Sequence, residues 1–336
     1  MGVEGPEEEG RASVLVDGRP QASIGAAPSR PREDPAAEPT ETILLAGRPT
    51  LRRFIRFVSR NSVASPDRGT LIQEWQAARE HVLALESTER GLADHPEMTP
   101  LGPEYEPLLV EFLKDPLVRH GFNTVPTDVA LVELDRMVVF QLHIDLAFVR
   151  SLQAKLGSAP SREEIFRTCL PYDHPSPPVE WSRLKRDGFV FLSPSNDLRF
   201  LGTMPLEPRH IAGYPPRGNV VGVVGLAVGF GGNFLNAVYA ENRLILTNGS
   251  HRAFALRELG INRVPCIVQH CSDRDELDLV AGEMVRKDPE YYLKHPRPPL
   301  LKDYFDPTVR KVFPARRFYR QVRLKFEVDE AFVPAL

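Results

Sequence analysis

The most informative hydrophobic pattern in the chain is a short apolar run that gives way to a helical period. Residues 244–246 are apolar and partly β-branched, which predicts a short buried strand. Asn248 and Gly249 then interrupt the run, and both residue types tolerate the positive φ angles of a tight turn. Apolar side chains recur at helical spacing as far as Gly260, where the helix should end. This segment therefore predicts a strand, a turn and a helix in succession.

Polar residues at the start of this helix and apolar residues along it refine the prediction. Ser250 would cap the helix by accepting a hydrogen bond from an early backbone N–H. Phe254, Leu256 and Leu259 would face a core, and Ile261 would make the apolar contact of a helix-ending motif after Gly260.

Helical periodicity also dominates residues 43–125, which we interpret as a helical extension. Apolar positions of a first helix, from Leu51 to Val58, share one face, and four arginines occupy the other. The arginine face is either an ordinary solvated surface or a surface for an anionic partner or a membrane. Residues 70–85 predict a second helix, with a core of Leu71, Ile72, Trp75 and Leu83. Residues 108–118 predict a third helix.

Strand and helix patterns alternate through residues 126–272, which predicts a further domain. Residues 129–134 form a strand that residues 138–140 continue, and Asp145 caps a helix that Gly157 ends. Residues 158–218 are an insertion, with a helix at 162–169 and strands at 189–192 and 199–201. A buried strand is predicted over residues 220–228, with a turn after it rather than a phosphate loop.

Strand and helix periodicities also predict the last strands of this domain and the elements that follow it. Residues 234–240 and 243–246 predict a hairpin that turns at residues 241–242, and residues 267–269 close the domain. Residues 273–336 predict an amphipathic helix over 273–287, with Leu277, Leu279, Val280 and Met284 inward. A strand over 321–328 would point Val322, Leu324, Phe326 and Val328 inward. The fold class is therefore α/β (α+β).

Composition narrows the functional classes. The chain has 336 residues and a formal net charge of −3, so there is no case for nucleic acid from charge alone. Three cysteines without metal-ligand spacing indicate neither a zinc site nor a disulfide framework, and Cys266 should be a core residue. Residues 1–42 are acidic and proline-rich, which predicts a disordered segment without a signal peptide. No apolar run reaches membrane-spanning length, and we expect a cytoplasmic protein.

The turn at residues 248–252 is the best candidate for chemistry. Free N–H groups and the positive end of the helix dipole would meet there, and His251 and Arg252 add further donors. Gly249 would let the backbone approach a ligand closely. Phosphate or carboxylate binding is one interpretation, and an ordinary structural turn with a surface His-Arg pair is the other.

The residues from 246 to 268, which read LTNGSHRAFALRELGINRVPCIV, resemble the signature of the ParB/sulfiredoxin superfamily. Residues 132–152 resemble the opening strand and first helix of the same domain. The resemblance implies a ParB/sulfiredoxin-like domain with a phosphate-binding turn, in which Asn248, Gly249, Ser250, His251 and Arg252 would hold a nucleotide. ATP or ADP, or CTP, would be the cofactor, with Mg²⁺ as an option.

The activities known in this superfamily fit the residues to different degrees. A sulfiredoxin needs a cysteine nucleophile at the position of Ser250, which excludes that activity. A partition ParB has an arginine-rich nucleotide motif, part of which Ser250 and His251 replace here, and a helix-turn-helix that residues 273–336 do not show. We therefore do not expect a nucleic-acid partner. A kinase of this type has an aspartate at the position of Asn248 and an acidic base near residue 143. Either His143 takes the role of base, or Asp145 does although it also caps a helix, or the activity is not present. His143 is otherwise a packed histidine.

We therefore expect a nucleotide- or phosphate-dependent enzyme that acts on a small molecule, most simply a phosphotransferase, with His143 and His251 as catalytic residues and no protein metal site. The alternatives are a non-catalytic nucleotide sensor or scaffold, and a ParB-like DNA-binding protein. The DNA-binding alternative rests on residues 316–320, in which basic and aromatic side chains are interleaved.

Overall fold

The computed structural model describes residues 39–184, 188–207 and 218–334. The chain divides into two compact units. Of the described residues, the main unit comprises 39–175 and 232–317, and the β unit comprises 176–184, 188–207, 218–231 and 318–334. Helices and several β-sheets together make this a mixed α/β protein.

The elements are numbered in chain order. The strands are β1 Thr40–Leu45, β2 Met98–Pro100, β3 Thr127–Glu133, β4 Val138–Val139, β5 His143–Asp145, β6 Glu180–Leu184, β7 Gly188–Ser193, β8 Leu198–Leu206, β9 Val223–Phe230, β10 Asn236–Ala240, β11 Arg243–Asn248, β12 Arg263–Cys271, β13 Arg310–Ala315 and β14 Arg320–Lys325. The helices are α1 Leu51–Asn61, α2 Arg68–Thr88, α3 Glu106–Phe112, α4 Pro116–Gly121, α5 Leu146–Leu156, α6 Arg162–Cys169, α7 Ser250–Glu258, α8 Arg274–Val280, α9 Glu283–Lys287 and α10 Pro289–Leu293.

The main unit is built on a six-stranded sheet in the order β2-β3-β12-β10-β11-β4. β10 and β11 form the predicted hairpin, and Glu241 and Asn242 between them have φ angles of 47° and 63°. Two successive positive φ angles match the right-handed twist of the flanking strands. β12 then runs parallel to β10, and α7 makes the crossover between β11 and β12.

The helix predicted after the turn is confirmed as α7 and ends as expected. Gly260 has a φ of 82°. Its N–H donates to the carbonyl of Arg257, and the N–H of Ile261 donates to the carbonyl of Leu256 at 2.9 Å. These two bonds satisfy carbonyls that the last helical turn leaves unpaired. Phe254 and Leu256 are fully buried, so α7 contributes directly to the core.

A second sheet of the main unit has the order β13-β1-β5 and was not predicted. Residues 40–45 form β1, whereas the sequence patterns assigned them to a disordered segment and a helical extension. β1 is stabilised by antiparallel partners on both sides, β13 and β5, which are remote in sequence. Residues 1–38 lie outside the described residues, so their predicted disorder stays a prediction.

The predicted helices of the extension are confirmed in part. α1 buries Phe54 and Val58 as expected, but Leu83 of α2 is 49% exposed rather than a core residue. The single helix predicted over residues 108–118 is two, α3 and α4. Pro116 cannot donate a helical hydrogen bond, and the side chain of Asp115 caps the new helix.

Three further predictions from periodicity are wrong because remote contacts override the local pattern. β4 does not continue β3 but pairs in parallel with β11 at the far edge of the sheet. The helix predicted over residues 273–287 divides into α8 and α9. Leu277 of α8 and Val285 of α9 are buried, while Leu279 of α8 is 68% exposed. Gly282 lies at the division, and a Cβ there would make a tight contact of 3.1 Å with the ring of Phe140.

The β unit contains a three-stranded sheet in the order β14-β7-β6 and a two-stranded ribbon of β8 and β9. The strands predicted at residues 189–192, 199–201 and 321–328 are confirmed as β7, β8 and β14, with different ends. β9 was expected to be buried, but Val224 is 70% exposed because β8 is its only neighbour in the described sheets. Val328, predicted inward, lies beyond β14 and is 72% exposed.

A buried ionic cluster ties three parts of the main unit together. Arg297 is fully buried, and its Nη1 donates to Oδ2 of Asp303 at 3.1 Å. Arg48 donates to the same carboxylate oxygen at 3.2 Å, and Nε of Arg297 donates to Glu89. The cluster therefore joins the end of β1, the end of α2 and the segment before β13.

Cys169 and Cys266 are buried free thiols, as the sequence indicated for Cys266. Within the described residues, no helix is both long enough and apolar enough to cross a bilayer.

Candidate functional site

The two histidines proposed as catalytic lie together in the main unit. His143 opens β5, and His251 lies in the first turn of α7. The backbone N–H of Asp145 donates to Nε2 of His251 at 3.0 Å. The charges of His143 and Asp145 both act on the His251 imidazole. The fold therefore brings the end of β5, the start of α5 and the start of α7 to one place.

His251 is held neutral in this environment. Burial lowers the pKa of His251 to about 4, and neighbouring His143 and Arg252 act in the same direction. Because Nε2 accepts the Asp145 N–H, the single proton of the neutral ring resides on Nδ1. Nε2 is therefore engaged in a structural contact, and His251 can offer a donor through Nδ1 rather than a base through Nε2.

His143 is also neutral, and its ring nitrogens are less committed. Burial lowers the pKa of His143, while the nearby Asp145 carboxylate acts in the opposite direction. The ring packs against Phe57, with centroids 5.2 Å apart. Among the described residues, no side chain or backbone group forms a hydrogen bond to the His143 ring. Of the two histidines, His143 is therefore the better placed to accept a proton.

The turn between β11 and α7 is braced by Asn248. Its Oδ1 accepts the N–H of Gly249 at 2.8 Å, and its Nδ2 donates to the carbonyl of Gly232 at 3.2 Å. Both polar atoms thus stabilise the turn. Gly249 has a φ of 92°, and a Cβ there would lie 2.6 Å from Cδ1 of Leu235. The glycine is required by close packing as well as by its positive φ.

The predicted capping role of Ser250 is wrong. Gly249 occupies the N-cap position, and Ser250 is the first helical residue, 6% exposed. The left-handed conformation of Gly249 starts the helix one residue earlier than a serine cap would. No side chain among the described residues caps α7.

The start of α7 consequently leaves backbone donors available. The first helical backbone bond runs from the N–H of Ala253 to the carbonyl of Gly249 at 2.9 Å. The N–H groups of Ser250 and His251 precede it and donate to no acceptor in the described part of the chain. Amides in this position, with the helix dipole behind them, favour a negatively charged ligand.

Arg252 points its charge inward rather than into solvent. The residue is 6% exposed, and its charge acts on the imidazole of His251 and on the thiol of Cys169 at the end of α6. Burial raises the pKa of the Cys169 thiol to about 12, and the arginine opposes that rise only in part. Arg252 therefore adds one positive charge on the interior side of the turn.

The described residues do not supply a protein site for Mg²⁺. They contain no cluster of three histidine, cysteine or carboxylate side chains. Oδ1 of Asp145 accepts the N–H of Ala147 as the cap of α5, and Oδ1 of Asn248 accepts Gly249. These are the oxygens that a hard cation would need near the turn. The donor set fits an anion better than a cation.

Sequence reasoning missed two aromatic residues at the site. Phe148 is 46% exposed, and its ring lies 5.4 Å from that of His251 at 83°. Phe57, from α1, covers His143. Phe148 could have been found because it lies three residues after the predicted cap Asp145, on the same side of the first turn. Nothing local indicates that Phe57 reaches the site.

A hollow of about 540 Å³ lies between α5 and the end of α7. Leu146, Arg150, Gln153 and Glu258 are among the side chains that line it. Nε2 of Gln153 donates to Glu258 at 2.8 Å across the two helices. This hollow borders the opposite end of α7 from the turn at residues 248–252.

The chain matches no protein-family model, no curated protein and no solved structure with which it was compared.

Proposed function

We propose that this protein binds a phosphate-bearing small molecule at the start of α7. ATP, ADP or CTP is the simplest ligand, and phosphotransfer to a small-molecule alcohol is the simplest reaction. The observation that carries the proposal is the uncapped start of α7, with the amides of Ser250 and His251 beside two neutral histidines. The likeness of residues 246–268 to the ParB/sulfiredoxin superfamily supports the same ligand class.

The electrostatics at the turn favour an anion. Burial is the main cause of the depressed pKa of His251; His143 and Arg252 act in the same direction, and Asp145 opposes them. The nearest carboxylate, Asp145, has an oxygen engaged by the start of α5. A phosphate would accept hydrogen bonds from the two amides and from Nδ1 of His251.

His143 is the residue we assign as base. It would accept the proton of the substrate alcohol as the alcohol oxygen attacks the terminal phosphorus, and the bond from that phosphorus to the leaving phosphate would break. A neutral imidazole is ready to accept this proton at neutral pH. His251 would hold a phosphate oxygen through Nδ1 and so act as a binding residue.

The binding test uses the full chain with ¹⁵N labelling, and tripolyphosphate and ATP as probes. We expect the amide resonances of Ser250 and His251 to shift with either probe. Arg252→Ala should weaken binding at least tenfold, because it removes positive charge beside the phosphates. Arg257→Ala, at the other end of the same helix and paired with Asp135, is the matched control. Unchanged Ser250 and His251 resonances at saturating probe would refute the site.

The second candidate is a nucleotide sensor that binds without turnover. The contact of Asp145 with His251 favours it, because both residues are engaged in holding α5 and α7 together. Incubation with ATP, followed by chromatography of the nucleotides, separates the two functions. Product that forms with the native chain and is lost in His143→Gln supports the enzyme. Tight binding with unchanged ATP in the presence of candidate alcohols supports the sensor.

A further inference from the structure

One face of the three-stranded sheet in the β unit carries a row of uncovered aromatic side chains. Trp181 of β6 pairs in register with Phe191 of β7, and their rings lie 6.1 Å apart at 20°. Phe189 lies two residues from Phe191 and therefore on the same face, 6.2 Å from Trp181. All three side chains are only partly buried. Aromatic surface left in water on a sheet indicates a binding surface.

These rings form one wall of a small hollow, which we call the aromatic slot. Its volume is about 270 Å³, and it is lined by Trp181, Phe189, Phe191, Val224, Leu226 and Leu324. Pockets for small ligands commonly span about 300–1,000 Å³ and present polar groups that orient the ligand. No polar side chain lines the slot. A nucleobase would leave its polar edges unpaired there, whereas a phenylalanine side chain would not.

The rim of the slot is basic. Arg183 lies opposite Phe189 in the register and two residues from Trp181, so it shares their face. Arg320 lies on the same face of β14 as Leu324 and is exposed. Arg323 and Lys325 lie on the opposite face of β14 and do not belong to this rim. The occupant that fits is an apolar side chain flanked by acidic residues.

The chain itself contains such a segment directly after β14. Residues 327–334 read EVDEAFVP, with three acidic residues before an apolar pair. Phe332 and Val333 are exposed by 107% and 82%, so neither packs on its own chain. The segment leaves the sheet beside the slot, since the ring of Phe326 lies 6.5 Å from that of Phe189.

We propose that two copies of this chain associate by placing Phe332 of each in the aromatic slot of the other. Each copy carries one slot and one segment 327–334. When two copies insert their segments into each other's slots, the two contacts are identical and the dimer closes on a two-fold axis. The acidic residues of the segment would face the basic rim. The six residues from Phe326 to Phe332 span up to about 20 Å, which is enough to reach a neighbouring sheet.

The test measures the molar mass of the full chain across a concentration series by light scattering. The native chain should form a dimer with a dissociation constant on the order of micromolar, because the exchanged segments are short. Phe332→Asp removes the anchor and should yield a monomer. Leu226→Asp, at a slot position already 40% exposed, should do the same without burying a charge in the native fold.

Mixing the two variants separates the proposal from misfolding. Phe332→Asp keeps an intact slot, and Leu226→Asp keeps an intact segment, so together they should form a heterodimer through one exchange. Val221→Asp is the matched control, since Val221 is 93% exposed in the same unit and does not line the slot. It should dimerise like the native chain.

Three outcomes would overturn the proposal. The native chain could remain monomeric at every concentration, Phe332→Asp could dimerise like the native chain, or the mixed variants could fail to associate. A different occupant of the aromatic slot would be detected by a change in the fluorescence emission of Trp181. The measurement uses Trp75→Phe, in which Trp181 is the only tryptophan. If the native chain stays monomeric and a single-stranded oligonucleotide alters that emission, the slot binds nucleic acid instead.

Discussion

The backbone N–H of Asp145 donates to Nε2 of His251 at 3.0 Å and joins two helices that begin in distant parts of the chain. Asp145 also caps α5 through its side chain, so one residue fixes both the helix start and the orientation of the imidazole. This bond engages Nε2 of His251 and so places the single proton of the neutral ring on Nδ1. It thereby turns a packing contact into a feature of the candidate site.

Removing the acceptor should destabilise the protein. His251→Ala leaves the Asp145 N–H without its partner in a partly buried position, which costs about 1–3 kcal/mol. Urea unfolding of the full chain measures the change. His120→Ala, at an exposed position in α4, is the control and should stay within about 0.5 kcal/mol. Equal effects of the two substitutions would show that the bond does not stabilise the fold.

The stability of the protein should rise between pH 4 and pH 6.5. Burial lowers the pKa of His251 from 6.5 to about 4, so in this window the unfolded chain binds more protons than the native one. The contribution is fully present above pH 6.5 and lost as the pH falls toward 4. It amounts to at most about 3 kcal/mol. His143 acts in the same direction.

Urea midpoints across this pH range provide the measurement for the native chain and for His251→Gln. Glutamine does not titrate, so the variant should show a flatter dependence on pH. The slope that remains would include the contribution of His143. Identical slopes in the two proteins would mean that His251 titrates normally in the native state.

Gly249→Ala should cost more than Gly260→Ala, although both glycines have positive φ angles. At Gly260 no atom lies within 4 Å of the added Cβ, so only the backbone penalty of about 1–2 kcal/mol applies. At Gly249 the Cβ meets Leu235 at 2.6 Å, which adds about 1–3 kcal/mol for overpacking. Unfolding curves of the two variants isolate the packing contribution as their difference. Equal losses would contradict the close contact.

Asp303→Asn should be among the most destabilising polar substitutions in the main unit. It leaves Arg297, which is fully buried, and Arg48 without their shared counter-charge, and breaking such a pair costs about 3–5 kcal/mol. Glu283→Gln breaks the exposed pair with Lys287 and should cost less than about 0.5 kcal/mol. Thermal and urea unfolding compare the two variants. A small loss in Asp303→Asn would mean that water enters the cluster.

Features fixed by a few adjacent residues could be predicted from the sequence. The hairpin turn at Glu241 and Asn242, the cap at Asp145 and the end of α7 at Gly260 are all found where the residue types indicated. Each depends on backbone angles and on hydrogen bonds that span no more than five residues. Such bonds form between the same atoms whatever the rest of the chain does.

Strand pairing and side-chain burial depend on segments that are remote in sequence. β1 exists because β13 and β5 flank it, and β4 belongs with β11 although β3 precedes it directly. Val224 and Leu226 of β9 are exposed, because β8 is the only strand that pairs with β9 in the described sheets. An apolar pattern indicates that a strand has to be covered by other parts of the chain. It does not indicate which segment covers the strand.

The candidate site shows the same division. The sequence by itself determined that a strand, a left-handed glycine and a helix start follow one another at Gly249, because these depend on local φ and ψ preferences. Only the tertiary structure decided that His251 accepts a bond from Asp145, that His143 stands beside it and that Arg252 is turned inward. Those relations arise from packing between α5, α6 and α7, whose contacts join residues roughly a hundred positions apart and carry no local signature.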